Sequence, residues 1–254
     1  MHYGLIKMNN LDNIWNYSED TTLDNYTVIF PCVAVGNVAQ LACDLLISSL
    51  KMTKIASVYS KALIPVVGYD PYDLNSSNLS CSCEMYKSDD KKLIVFQIRA
   101  PIVIKYASEF LEEVITKLKE KNIGDMIILT SSFAYEKKHI STSPFRYVSN
   151  ESCPYNSTVK TLDCLVHESD SDLKIHGGGF ASLLYRIASQ KLLPCLIFFK
   201  YCSEGNNIPD AYEMVEYISK LLPIIFDKKD CMLQFVQPPS WKLLFGKPPP
   251  SDIY

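Results

Sequence analysis

The sequence predicts one three-layer α/β/α domain, built on a mostly parallel β-sheet, over residues 26–246. Three runs, Lys92–Arg99, Asp125–Thr130 and Pro194–Tyr201, are almost continuously apolar, as buried strands are. Amphipathic helices alternate with these runs, which is the arrangement that covers a parallel sheet on both faces. A chain of 254 residues is long enough to bury such a core without disulfides or metals.

The first half of the domain begins with a strand-like run at Thr27–Val35, which Pro31 interrupts. Apolar residues at helical spacing then predict a helix over Asn37–Leu50, with Asn37 as its N-cap. The other predictions for this half are a strand at Lys54–Tyr59, a loop at Ala62–Asp73 and a weak strand at Leu79–Met85.

The second half alternates helices with the buried strands named above. Ser108–Lys121 carries one apolar stripe with Glu and Lys outside it, which predicts an amphipathic helix. Ser131–Lys174 is irregular, and we expect loops over short strands there. A further helix is predicted over Gly177–Ser189, and Pro209 precedes the last long helix, Asp210 to about Ile225.

Both ends of the chain are predicted to lie outside the domain. Residues 1–25 are polar and rich in Asn and Asp, so we expect a flexible N-terminal arm. Residues 247–254 form a Pro-rich C-terminal tail, in which three consecutive prolines act as a stiff, extended spacer. The tail ends in Ile253 and Tyr254; an aromatic beside a terminal carboxylate can fill a partner's pocket while a Lys or Arg holds the charge.

Composition argues against several classes of function. Lys and Arg total 25 and Asp and Glu total 28, giving a net charge of −3, whereas nucleic-acid and membrane surfaces favour a basic excess. Neither a signal peptide nor an apolar run of roughly 20 residues is visible, so no membrane helix is expected. The nine cysteines are read as reduced thiols, which predicts a cytoplasmic and nuclear location. Four of them lie inside apolar runs: Cys32, Cys43, Cys195 and Cys202.

No catalytic, cofactor-binding or metal-binding constellation is predicted. Cys81-Ser82-Cys83 lacks the spacing and the second pair that zinc requires, and strand alternation would place both sulfurs on one face as a packing pattern. His139 and His167 have no partner at a recognisable ligand or triad spacing, so we expect exposed or capping residues.

The segment His176-Gly177-Gly178-Gly179 is similar to the oxyanion loop of lipases and esterases. That chemistry also needs a G-x-S-x-G nucleophile elbow, which the sequence lacks. A phosphate cradle would need the Lys-Ser/Thr of a P-loop or G-x-G-x-x-G spacing, which are absent too. The segment is therefore interpreted as a tight turn, in which glycine permits positive φ and close backbone contact.

Six blocks occur in an order that matches one known family: Pro31–Ser48, Ile64–Gly68, Ser143–Tyr147, Gly177–Gly179, Ser203–Ala211 and Pro239–Gly246. Together they span about residues 28–246, and the last two blocks are the most specific. In these blocks the sequence resembles the PAC2 family of proteasome assembly chaperones.

The resemblance implies a non-enzymatic chaperone, without a cofactor, whose three-layer α/β fold is related to nucleoside-phosphorylase-like proteins. It implies a heterodimer with proteasome assembly chaperone 1 that binds proteasome alpha subunits. Such a pair promotes alpha-ring formation for the 20S core particle and prevents off-pathway ring dimers. In some relatives a C-terminal hydrophobic-Tyr-X motif inserts between alpha subunits; here Ile253 and Tyr254 match its first two positions, but the final residue is absent.

Two other functions remain open from the sequence. A nucleoside-phosphorylase-like hydrolase on the same fold would need a convergent acid, base and phosphate or ribose site, and the sequence shows none. A peptide-binding adaptor would use its C-terminal tail on partners other than the proteasome. A screen for nucleoside cleavage and a pulldown of alpha subunits would distinguish these functions.

Overall fold

This computed structural model describes residues 14–18, 22–168, 172–223, 235–243 and 246. The strands within these residues are β1 (Ile14–Tyr17), β2 (Thr27–Pro31), β3 (Thr53–Tyr59), β4 (Val67–Tyr69), β5 (Leu79–Cys81), β6 (Cys83–Ser88), β7 (Leu93–Ile98), β8 (Asp125–Phe133), β9 (Phe145–Ser149), β10 (Leu165–Val166) and β11 (Cys195–Cys202). Nine of them form one sheet in the order β1-β3-β6-β7-β2-β8-β11-β9-β10, and β4 and β5 form a separate hairpin.

Four neighbouring strands at the centre of the sheet, β7, β2, β8 and β11, run parallel to one another. Thr27 in β2 pairs with Leu93 on one side and with Asp125 on the other. These strands contain the apolar runs of the sequence, and every residue of β7 is buried. Antiparallel pairs flank this centre on both sides, so the sheet as a whole is mixed.

Helices cover both faces of the sheet, which confirms the predicted three-layer fold. The helices are α1 (Val38–Ser49), α2 (Ala107–Glu120), α3 (Asn156–Val159), α4 (Ala181–Gln190) and α5 (Ile208–Leu221). Helices α1 and α5 share one hydrophobic cluster, and α2 and α4 share the other. Successive residues of β2 alternate between them, because Val28 and Phe30 point to the α2–α4 cluster and Ile29 to the other.

Asn37 occupies the predicted N-cap position of α1, but the capping hydrogen bond expected from its side chain is absent. Its φ is 52°, and its side chain makes no capping hydrogen bond. A capping side chain needs extended backbone at that position, whereas Asn37 and Gly36, with a φ of 66°, form a left-handed turn. The turn brings Gly36 so close to α5 that a Cβ there would lie 2.7 Å from the side chain of Asn207.

Part of the predicted N-terminal arm is a strand, so the expectation of a flexible arm is wrong for Ile14–Tyr17. Strand β1 pairs antiparallel with β3, with Ile14 opposite Tyr59. The indole of Trp15 donates a hydrogen bond of 2.8 Å to the Glu113 carboxylate in α2, which fixes the strand across two layers. Residues 1–13 and 19–21 of the arm lie outside the described residues.

The predicted loop at Ala62–Asp73 contains β4, and the weak strand at Leu79–Met85 is two strands. Ser82 separates β5 from β6, because its hydroxyl accepts from the Val66 amide and donates to the Ile64 carbonyl. Cys81 therefore lies in the hairpin and Cys83 in the main sheet, rather than both on one face of one strand.

The last helix ends earlier than predicted. Helix α5 stops at Leu221, and Leu222 has a non-helical ψ of 77°. Leu222 precedes Pro223, and the ring of a proline disfavours helical backbone in the residue before it. The prediction that the helix reaches Ile225 is therefore wrong.

The cysteines in the described part of the chain are all free thiols. Cys32, Cys43, Cys195 and Cys202 are buried, as predicted, and burial raises the pKa of the Cys32 thiol to about 12. None of the helices described is long and apolar enough to cross a bilayer.

Asp125, at the start of β8, makes the stability of the fold depend on pH. Its carboxylate accepts hydrogen bonds from Tyr155 Oη at 2.9 Å and Thr27 Oγ1 at 3.3 Å. Burial, opposed by these two bonds, raises the pKa of Asp125 from 3.8 to about 6. Because the folded pKa is the higher one, this carboxyl contributes stability below pH 3.8 that is lost as the pH rises through 6.

Replacing Asp125 with asparagine is therefore expected to stabilise the protein at neutral pH. Asparagine carries no charge, its Oδ1 can accept from Tyr155 and its Nδ2 can donate to Thr27 Oγ1, so the free energy of unfolding at pH 7.5 should rise by about 1–2 kcal/mol. Urea titrations of Asp125→Asn and the parent chain at several pH values would measure this. A stability difference that stays constant between pH 4 and pH 7.5 would contradict the assignment.

Candidate interaction surface

Ligands of open α/β folds bind in the crevice where the carboxyl ends of neighbouring parallel strands diverge. Strands β2 and β8 form that crevice here, because α1, which follows β2, packs on one face of the sheet and α4, which begins beside the end of β2, packs on the other. The glycine turn at Gly177–Gly179 lies in this crevice, directly before α4. Its Gly177 carbonyl accepts a hydrogen bond of 3.1 Å from the Val35 amide.

The glycine turn fits this crevice only because it carries no side chains. Gly179 has a φ of 59°, and a Cβ on it would lie 2.3 Å from the Val33 carbonyl oxygen. A Cβ on Gly177, with a φ of 78°, would lie 2.4 Å from Val35 Cγ2. The interpretation as a tight turn is therefore confirmed.

The chain itself fills the crevice. Three hydroxyls of β8 donate hydrogen bonds to main-chain carbonyls of the neighbouring segments: Thr130 to Gly178, Ser131 to Val35 and Ser132 to His176.

An apolar groove of about 610 Å³ opens between the β1–β3 edge of the sheet and the β4–β5 hairpin. Strand β4 is exposed along its whole length, and its Val67 is 71% exposed. Ile14, Tyr59 and Leu79 add further apolar lining and are 43%, 50% and 58% exposed. Contiguous apolar surface of this kind marks sites where a protein binds a partner or ligand.

A buried carboxylate beneath the hairpin holds the groove in shape. Glu84 in β6 is fully buried and accepts from the Ser80 hydroxyl at 2.7 Å and from Lys54 Nζ at 2.9 Å. Lys54 Nζ also donates to the Leu79 carbonyl at 3.0 Å, so one cation ties the hairpin to β3. Tyr86 donates to the same carboxylate at 2.9 Å, and burial together with Glu84 raises the pKa of Tyr86.

A second buried carboxylate fixes the segment that joins β4 to β5. Asp44 in α1 accepts from Tyr72 Oη at 2.6 Å, from Gln97 Nε2 at 2.7 Å and from Arg99 Nη2 at 3.0 Å. Burial opposes the charge on Arg99, but the Asp44 carboxylate outweighs it and raises the pKa of the guanidinium. Burial, and then Asp44, raise the pKa of Tyr72. The groove is thus preformed rather than assembled by its ligand.

Three histidines singled out from the sequence lie around one cavity, whereas the two tail residues, Ile253 and Tyr254, lie outside the described residues. His139 is exposed, and the ring of His167 lies 2.9 Å from the Lys174 carbonyl oxygen; both line a polar cavity that also includes His176. Within the described ranges, no group of His, Cys, Asp and Glu could hold a metal ion.

Sequence reasoning missed the groove, although one signal pointed to it. Ile64–Gly68 is an apolar run inside a segment that contains Pro65 and Gly68 and has no helical or strand periodicity. Ile64, Val66 and Val67 are all exposed in the structure. Apolar residues clustered in a loop are costly in water unless a partner covers them.

Comparison with known proteins finds relatives that match nearly the whole chain. The chain is 37% identical to proteasome assembly chaperone 2 of Mus musculus, over 91% of this chain and 96% of the relative. It is 35% identical to the protein of the same name from Homo sapiens, with the same coverage of 91% and 96%. A relative of that name in Saccharomyces cerevisiae is 24% identical over 89% of this chain and 97% of its own length.

Solved structures share the fold at low sequence identity. Pyrococcus furiosus PbaA, an archaeal homolog of proteasome-assembly chaperone, superposes with a TM-score of 0.66 at 17% identity over 88% of this chain and 91% of its own. Pyrococcus furiosus PbaB, an archaeal proteasome activator, gives 0.66 at 16% identity over 87% and 93%. The family model described as PAC2 matches residues 28–232, and the chain belongs to the PAC2 family.

Proposed function

We propose that this chain is a proteasome assembly chaperone that acts as a heterodimer with proteasome assembly chaperone 1. In this role the pair scaffolds the alpha ring of the 20S core particle and prevents off-pathway ring dimers, in the cytoplasm and nucleus. The observation that carries the proposal is the identity with relatives named proteasome assembly chaperone 2, which extends over nine-tenths of both chains. Those relatives are named as chaperones rather than enzymes.

The apolar groove supplies a surface of the kind that the proposed heterodimer needs. A partner chaperone would cover Val67 and its apolar neighbours, and burying such side chains stabilises a complex by about 25 cal/mol for each Å² removed from water. Because Glu84 and Asp44 hold the hairpin in place, little conformational entropy is lost on binding. We therefore assign the groove to the partner chaperone.

The C-terminal tail is assigned to the alpha ring. Ile253 and Tyr254, which match the first two positions of the hydrophobic-Tyr-X motif, would enter a pocket between alpha subunits. In this proposal the three consecutive prolines of the sequence act as the spacer, because such a run favours an extended chain of roughly 3.1 Å per residue.

An affinity pulldown from extract of the protein's own cells, analysed by mass spectrometry, tests both assignments. The full chain is expected to recover a second assembly chaperone together with alpha subunits. Val67→Asp should lower recovery of the chaperone at least about tenfold, because an unpaired carboxylate would be buried in the groove. Deleting Ile253 and Tyr254 should lower recovery of alpha subunits and leave the chaperone bound.

Leu192→Asp is the matched control for the groove variant. Leu192 is 83% exposed and lies before β11, which is in the opposite half of the sheet from β1 and β3, and the substitution adds the same charge. Equal losses from the two variants would rule out the groove as the interface. Unchanged alpha-subunit binding after the deletion would refute the role of the tail. If the full chain recovered neither partner, the proposed function itself would be wrong.

A further inference from the structure

A polar cavity of about 440 Å³ lies at the carboxyl end of the sheet, apart from the apolar groove. Its lining includes Ser132 at the end of β8, Arg146 in β9 and Tyr201 in β11. The apolar side chains of Leu165 and Val166 in β10 also line it and are 45% and 58% exposed. Neither the apolar groove nor the C-terminal tail accounts for this cavity.

Arg146 is a buried cation without a counter-ion in the described part of the chain. It is only 7% exposed. Nη1 donates to the Ser143 carbonyl at 2.5 Å and to the Phe145 carbonyl at 2.8 Å, and Nη2 donates to Thr142 Oγ1 at 2.9 Å. The guanidinium also lies over the ring of Tyr201, 5.4 Å from its centre. All these partners are neutral, whereas buried charges in proteins are normally paired.

The remaining charges of the cavity nearly cancel. None of its carboxylates lies within ion-pair distance of Arg146 among the described residues. The other charged lining residues are Glu136, Lys138, Glu168, Asp172 and Lys174. A cavity with this balance attracts no polyanion, but the Arg146 guanidinium, which has no counter-ion among the described residues, can still attract a single anionic group.

We propose that this cavity binds a carboxylate of a partner protein, from an acidic side chain or a chain terminus, with Arg146 as its counter-ion. A guanidinium can bind a carboxylate through two parallel hydrogen bonds. The volume admits a whole side chain, and Leu165 and Val166 give apolar contacts to the group that carries the charge. The choice of a protein as the source of the carboxylate rests on the proposed function. The binding of an anion beside Arg146 is inferred from the structure alone.

The test is an NMR titration of the ¹⁵N-labelled full chain with three peptides. The first is acetyl-Ser-Val-Glu-Val-Ser-amide, the second has Gln in place of Glu, and the third has Gln and a free C-terminal carboxylate. We expect the Arg146 Nε–H signal and the amides of Leu165 and Val166 to shift with the first or the third peptide. Which of the two binds more tightly identifies the source of the carboxylate.

Arg146→Lys keeps the charge but loses the planar guanidinium. Affinity for the peptide that binds should therefore fall about tenfold, which corresponds to one charge-assisted hydrogen bond. Arg186→Lys, on the exposed face of α4, is the matched control and should leave affinity unchanged. Equal shifts from the fully amidated Gln peptide would overturn the proposal, as would binding of inorganic phosphate as tight as that of the Glu peptide. The experiment uses no proteasome component, so its failure would leave the pulldown result standing.

Discussion

Replacing Gly179 with alanine is expected to lower the free energy of unfolding by about 3 kcal/mol, because it combines backbone strain with a clash. The φ of 59° is unfavourable for any residue with a Cβ. The added Cβ would also meet the Val33 carbonyl oxygen at 2.3 Å. That oxygen belongs to the main chain after β2, so neither side can move without shifting a strand end or a helix start.

Gly68→Ala is the matched control for this prediction. Gly68 lies in exposed strand β4, and a Cβ there would meet nothing within 4 Å. Urea unfolding followed by circular dichroism should show a large loss of stability for Gly179→Ala and a change within about 0.5 kcal/mol for Gly68→Ala. Similar midpoints for the two variants would mean that the crevice between β2 and β8 tolerates a side chain, and the close-contact account of the turn would fail.

Replacing Asp44 with alanine is expected to cost about 3–5 kcal/mol, because it removes one partner of a buried ion pair. Arg99 would keep its charge with no carboxylate, Tyr72 would lose its acceptor, and Gln97 would lose one of its two. Tyr72 lies in the segment that joins β4 to β5, so the loss should also loosen the hairpin. Differential hydrogen exchange of the amides of residues 66–82 would detect this local effect beside the global one.

Two further variants separate the ion pair from simple loss of packing. The double variant Asp44→Ala, Arg99→Met removes both charges and should recover part of the lost stability. Glu216→Ala breaks an exposed pair with Lys220 on α5 and should change stability by less than about 0.5 kcal/mol. If Asp44→Ala were as mild as Glu216→Ala, the network around Asp44 would not be a structural anchor.

The three-layer fold could be predicted from sequence because its signals are local. A strand such as β7, buried on both faces, needs an unbroken apolar run, and α2 needs one apolar stripe with charges outside it. These requirements are visible within about ten residues of sequence. Strand β1 was missed because it has four residues and only half-buried side chains, so its pattern is weak.

The hydrogen-bond networks of the buried carboxylates and the polar cavity could not be predicted, because the residues that form them are distant in sequence. Asp44 meets Arg99 across 55 residues, and nothing near either residue in the sequence indicates the other. Arg146 lies in a short, irregularly patterned region, and only the fold shows that its neighbours are neutral. The end of α5 was predictable in principle, because Pro223 is in the sequence and its effect on Leu222 is local.

The strand order has a consequence for synthesis on the ribosome. Strand β2 lies at the centre of the sheet, yet both of its neighbours, β7 and β8, are made after it. Thr27 pairs with Asp125, 98 residues later, so at about 5–20 residues per second roughly 5–20 s separate the two strands. Val28 and Ile29 have no sheet partner until β7 is made, and Phe30 has none until β8 is made. Factors that shield nascent chains therefore meet this segment before its native neighbours do.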